Sequence, residues 1–300
     1  MARVLVGTAE GLGEFGSDGR TVATHLEGRS VTAVAPEAWR ELWAVVDGRE
    51  VWHTATERWF RTGSLEDLEA TCVTDTRAGV LVGTTEAHLF RVSGARGLEP
   101  VEGFERVERR SSWYTPWGGP PAIRSISEDD QAVYVNVHVG GVVRSRDAGA
   151  TWEPTLDIGL DVHRVWAGWG MVLAACAEGL AVSEDGGESW ELRAQGLHAR
   201  YCRAVTVCGD TVLLSASGGP RGGRAALYRG APSGGPFERC RAGLPEWFRG
   251  NIDSLCLDAI PDLAAFGTED GRVFVSDDQG LSWRELASGL GRVQAVLVLP

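Results

Sequence analysis

Three stretches of this chain repeat one pattern: "SRDAGATW" from Ser145 to Trp152, "SEDGGESW" from Ser183 to Trp190, and "SDDQGLSW" from Ser276 to Trp283. Each reads S-x-D-x-G-x-x-W. A reacting centre is normally built once, whereas a unit that recurs along a chain is architecture. The pattern therefore constrains the fold before it says anything about chemistry. Short strand-like runs precede each copy, such as "VHRVWAG", "MVLAACAEG" and "LAV" before the second. One more extended segment follows each Trp. Four short strands in a unit of roughly 40 residues match one blade of a β-propeller.

Four weaker copies complete the set. "CRAVTVCGDTVLLSASGGPRGGRAALYRGAPSGGPF" keeps the strands, while its box has decayed to Gly230, Pro232, Gly234 and Phe237. "VTAVAPEAWRELWAVVDGREVW" and "ATCVTDTRAGVLVGTTEAHLFRV" keep strands and have no box. The last copy is split between the C-terminal "VQAVLVL" and the N-terminal "RVLVGTAEGLGEF". The expected fold is all-β: a single domain over 1–300, a seven-bladed β-propeller with four-stranded antiparallel blades. The C-terminal strand joins the N-terminal blade, so no sheet edge is left open.

The box resembles the BNR or Asp-box repeat of sialidases, sortilin-type receptors and photosystem II assembly factors. Three copies match in full, and the strand pattern covers essentially the whole chain. The resemblance implies that each box is the turn between a third and a fourth strand. Its Asp would bind backbone N–H groups, its Gly would take a conformation other residues resist, and its Trp would pack between blades. Asp147, Asp185 and Asp278 are then structural. The chain lacks the Arg-Ile-Pro motif of sialidases, so sialidase activity is not expected.

Composition narrows the partners. Net charge is −12, and all 29 basic residues are Arg. That balance excludes nucleic acid and anionic membranes as expected partners. Without Lys, Walker-type phosphate binding and Schiff-base chemistry lack their residue. The six cysteines form no C-x-x-C, and most sit in apolar runs as small core residues. No apolar run approaches the ~18 residues of a membrane span. "MARVLVGTAEG" enters a strand-like run at once. We read a cytoplasmic protein without a leader segment.

Propeller ligands commonly sit where the loops entering the first strands meet the turns from second to third strands. Aligning the seven first strands places Gln294, Thr32, Thr71, Arg124, His163, Arg203 and Asp253 at equivalent positions near a central channel. Charged groups in a narrow channel need partners or a ligand. Arg124 and Arg203 would hold a carboxylate or phosphate, His163 would act as acid–base or metal ligand, Asp253 would orient it, and Tyr201 would add a hydroxyl. In "RSSWYTPWGGPPAIRS", Trp113, Tyr114 and Trp117 would form an aromatic wall. Arg221, in an enlarged glycine-rich loop, and Asn251 would reach the same rim, beside Trp247.

His138, His163 and His198 come from consecutive blades. Three imidazoles suit one zinc, copper, iron or nickel ion with positions left for water or substrate. The first functional expectation is a funnel that binds a small polar or anionic molecule, as a metal-assisted hydrolase or lyase. The alternative is a non-catalytic scaffold or assembly factor that binds another protein.

Overall fold

A computed structural model describes residues 2–37, 41–56, 58–94 and 97–300. Strands dominate, and they form seven four-stranded antiparallel sheets, the blades of a β-propeller. We number the blades along the chain. Blade 1 takes its innermost strand from the C-terminus: Ala295–Leu299 is followed across the sheet by Arg3–Thr8, Gly11–Gly16 and Thr21–His25. Blade 2 is Val31–Pro36, Leu42–Val46, Glu50–Ala55 and Arg58–Ser64, and blade 3 is Ala70–Thr76, Gly79–Thr84, Leu89–Ser93 and Gly97–Pro100. Blade 4 is Ala122–Glu128, Val133–His138, Gly141–Ser145 and Glu153–Leu156, and blade 5 is Val162–Gly168, Met171–Cys176, Gly179–Ser183 and Glu191–Arg193. Blade 6 is Tyr201–Cys208, Thr211–Ser217, Ala226–Gly230 and Glu238–Arg239, and blade 7 is Leu257–Ile260, Leu263–Gly267, Val273–Ser276 and Arg284–Ala287.

The chain divides into two compact units. One comprises Met1–Val31, Ala175–Leu180 and Leu192–Pro300; the other comprises Thr32–Ala174 and Ala181–Glu191. In the first unit the chain ends are joined as expected. Arg3 pairs with Leu299, Leu5 with Leu297 and Gly7 with Ala295. All five residues of Ala295–Leu299 are buried. This strand reads as an uninterrupted apolar run because it is covered on both faces.

The three boxes form the same turn. In the second, Ser183 Oγ donates to Asp185 Oδ1 at 2.8 Å and accepts from Gly187 N at 2.7 Å. Ser189 donates twice to Asp185, from N at 2.9 Å and from Oγ at 2.6 Å. Trp190 Nε1 donates to Gly187 O at 3.2 Å. The same bonds recur around Asp147 and Asp278. Each box joins the third strand to the fourth. Gly149, Gly187 and Gly280 have φ of +84°, +93° and +82°, the region where a Cβ is strained. A hydroxyl immediately before each Trp, at Thr151, Ser189 and Ser282, belongs to the motif although the sequence pattern left that place open.

The box aromatics are packed against neighbouring segments. Trp152 meets Phe104 edge-on at 5.5 Å, and Trp283 meets Phe266 at 4.9 Å. In blade 6, where the box has decayed, Phe237 is buried in the corresponding place. All six cysteines are free and buried, and burial pushes Cys72 up to about 12 and Cys208 and Cys240 up to about 11. Such thiols are inert packing groups. Among the described residues, no helix is long and apolar enough to cross a membrane.

Candidate functional site

Three of the seven positions aligned from sequence share a backbone feature. Thr71, Arg124 and Arg203 fall where the pairing of first and second strand shifts register, between Ala70 and Cys72, Ile123 and Ser125, and Cys202 and Val205. A bulge of this kind leaves one residue unpaired and re-aims its side chain. Asp253 precedes the first strand of blade 7 in irregular backbone, with its carbonyl accepting from Cys256 N at 2.9 Å.

In the unit containing blades 3 and 4, the segment entering blade 4 is anchored at one end and exposed at the other. Trp113 is buried, 5.8 Å from Phe104, with the Arg110 guanidinium 5.1 Å from its ring centre. It is therefore part of the packing and not of an aromatic wall. Phe104 sits on a short helix, Glu102–Glu105, that gives Trp113 a partner. Tyr114 and Trp117 follow, and both are exposed, at 54% and 63%. Thr115 Oγ1 closes the turn by donating to Gly119 O.

Trp117 lies over a buried cluster. Its ring centre is 5.1 Å from that of His138, which is 5.6 Å from that of His163. Asp161 stands between the two imidazoles, with Oδ1 2.9 Å from His138 Nε2 and Oδ2 3.6 Å from His163 Nε2. His163 is fully buried and His138 nearly so. Asp161 is aimed by a left-handed backbone, φ +44°, after the turn Ile158–Leu160 that Asp157 caps. Burial would raise the Asp161 carboxyl, but the two histidines hold it well below the usual carboxylate range. Burial lowers His138, Asp161 opposes that, and the Arg124 charge adds to the lowering.

Two blades are stapled beneath this cluster. Ser125 Oγ bonds Asn136 Oδ1 at 2.6 Å, Asn136 Nδ2 donates to Val162 O at 2.9 Å, and Val165 N donates to Ser125 Oγ at 2.9 Å. Asn136 and Ser125 are buried and mutually satisfied, so the arrangement is rigid.

The other unit holds the remaining candidates in a different state. Arg203 Nη1 donates to Asp253 Oδ1 at 2.5 Å, and Arg292 Nη2 donates to Asp253 Oδ2 at 2.8 Å. Asp253 is thus shared by two guanidiniums, and the carboxylate beside His163 is Asp161. Tyr201 lies with its ring centre 5.9 Å from the Arg203 guanidinium. Asn251 Nδ2 donates to the carbonyls of Gly219 and Pro220, at 3.3 and 3.2 Å, and clamps the glycine-rich loop. Arg221 is exposed on that loop.

Among the described residues, His138 groups with His163 and Asp161, whereas His198 lies in the other unit. The Tyr228 hydroxyl accepts from its backbone N–H at 3.3 Å and lies 2.6 Å from its Nδ1. Its ring centre is 4.6 Å from that of Trp247, which also carries the guanidiniums of Arg224 and Arg239 at 4.5 and 3.7 Å. These ring and guanidinium contacts hold His198 and Trp247 in place.

No family model matches this chain, and no curated protein matches it either. Solved structures do. A YCF48 protein bound to D1 peptide is similar over 86% of this chain and 82% of its own, at 14% identity and a TM-score of 0.58. YCF48 from Cyanidioschyzon merolae is similar over 87% of each chain, at 14% identity and a TM-score of 0.60. The WD40 β-propeller domain of Doa1 is similar over 91% of this chain and 83% of its own, at 13% identity and a TM-score of 0.61. At such identities the likeness establishes the propeller fold.

Proposed function

We propose that this protein is a non-catalytic Asp-box propeller that binds a segment of another protein. The observation that carries the reading is the Trp113–Trp117 segment. It sinks one aromatic into the core and presents two, Tyr114 and Trp117, to solvent. An exposed Tyr–Trp pair beside a buried anchor is the composition of a binding hot spot, because such side chains offer large apolar area at little conformational cost. The structural neighbour that holds a D1 peptide supports a peptide as occupant, since it is a propeller of the same fold. The hydrogen-bond pattern of the three boxes supports placing the chain among Asp-box propellers.

The charged groups expected to hold a small anion support the scaffold reading in one unit. Arg203 and Arg292 already share Asp253 as a hydrogen-bonded partner, and Asn251 is spent on loop carbonyls. A peptide display selection on the full chain tests the proposal, with the double variant Tyr114→Ala/Trp117→Ala as the counter-screen. Enriched peptides should bind the double variant at least about 30-fold more weakly, the loss typical of one hot-spot residue. Peptides that bind both proteins equally, or no enrichment at all, would overturn it.

A further inference from the structure

We propose that His138, Asp161 and His163 bind one divalent transition-metal ion. The inference goes beyond protein binding and needs no partner. Three donors of the right kind converge: one ring nitrogen each of His138 and His163 and a carboxylate oxygen of Asp161 lie within 4.8 Å of one another. Ligands about 2.1 Å from a common ion stand about 3.0 Å apart at right angles and about 3.4 Å apart at tetrahedral angles. The two nitrogen–oxygen contacts, His138 Nε2 to Asp161 Oδ1 at 2.9 Å and His163 Nε2 to Asp161 Oδ2 at 3.6 Å, fall close to those values, one on each carboxylate oxygen. All three donors are therefore already gathered at one place, on side chains that can rotate to share an ion.

The donor set selects the ion. Two imidazoles and one carboxylate suit zinc, iron, nickel or copper, whereas magnesium and calcium take oxygen ligands. Three protein ligands leave at least one coordination position open. The site is also prepared in advance. His163 and His138 are buried, Asp161 is set by its left-handed backbone, and the Ser125–Asn136–Val162 bonds fix the two strands that carry the rings. Asp161 keeps 22% of its side chain exposed, which gives the ion an entry route. Trp117, against His138, covers the same corner and supplies a built-in fluorescent reporter.

A second cluster, Glu37, Glu41 and His53, has comparable spacing, but all three residues are partly exposed and His53 stacks on Trp43 at 4.2 Å. It serves as a control. The full-length protein, stripped with a chelator, is titrated with cobalt(II) and then with zinc(II) in competition. The proposal predicts one cobalt per chain with a visible absorption band, displaced by zinc, and a change in tryptophan emission that Trp117→Phe abolishes. Asp161→Asn, nearly isosteric and checked for an unchanged melting curve, should weaken binding by about 100-fold or more, at or beyond the upper end of what outer-shell partners command. His138→Ala should do the same, while His198→Ala and His53→Ala bind like wild type. A wild-type protein that gives no cobalt band, or a band that survives Asp161→Asn or is lost with His53→Ala, overturns the assignment.

Discussion

Asp185 and Asp161 carry the same side chain, and both are held below the usual carboxylate range, yet they teach opposite lessons. Asp185 is satisfied by its own turn: every partner lies within four residues, and hydrogen bonds from Ser189 and Ser183 bring it down to about 2. Its chemistry is local, it is repeated at Asp147 and Asp278, and it closes a loop. Asp161 takes its partners from two strands, and one of them, His138, is 23 positions away. It occurs once. The repeated carboxylates close turns within the blades, and the unrepeated one joins two histidines from different strands.

The largest effect that could break this division is at the chain ends. Deleting residues 292–300 removes the buried strand that pairs with Arg3–Thr8 and exposes a second sheet edge. The truncated chain is expected to be insoluble or to melt without a cooperative transition. A truncation that melts like the full chain would remove the closure from the account.

Next come the box aromatics. Trp283 is buried against Phe266, so Trp283→Ala should cost about 3–5 kcal/mol in denaturant unfolding. Trp190 is only partly buried, and Trp190→Ala should cost clearly less. Equal losses would mean that the turn itself, and not the packing of its ring, stabilises the blade.

Acid should reveal the smaller contribution of the box carboxylates. The folded pKa of Asp185 lies below its ordinary value of 3.8, at about 2. Its contribution is therefore present above pH 3.8 and is lost as pH falls through about 2. Wild-type melting temperature should drop across that window, and Asp185→Ala should flatten the drop while lowering the neutral-pH value. A variant with the same acid profile as wild type would show that the turn bonds do not stabilise the fold.

How much of this was legible depended on distance along the chain. The boxes, the blade count and the split first blade follow from local patterns and periodicity. At Thr71, Arg124 and Arg203, three of the seven aligned first-strand positions, the pairing with the second strand shifts register, a feature that the local pattern does not show. Asp161, two residues before His163 in "DVH", has no local signature, because its closer partner, His138, lies 23 positions away on another strand. His198 is held by Tyr228 and Trp247, both distant in sequence. Trp113 read as surface because its partner Phe104 lies on a four-residue helix without any strong sequence signal. The partners of Asn251 and Asp253, loop carbonyls and two guanidiniums, come from other segments and leave no local signal.

The most direct test sets the two kinds of position side by side. Thermal melting and binding of a selected peptide are measured on Asp185→Ala and on Tyr114→Ala/Trp117→Ala. The account predicts that Asp185→Ala lowers the melting temperature and leaves binding intact, while the aromatic double variant melts like wild type and loses binding. Loss of binding in Asp185→Ala at full stability, with binding retained in the aromatic variant, would contradict it.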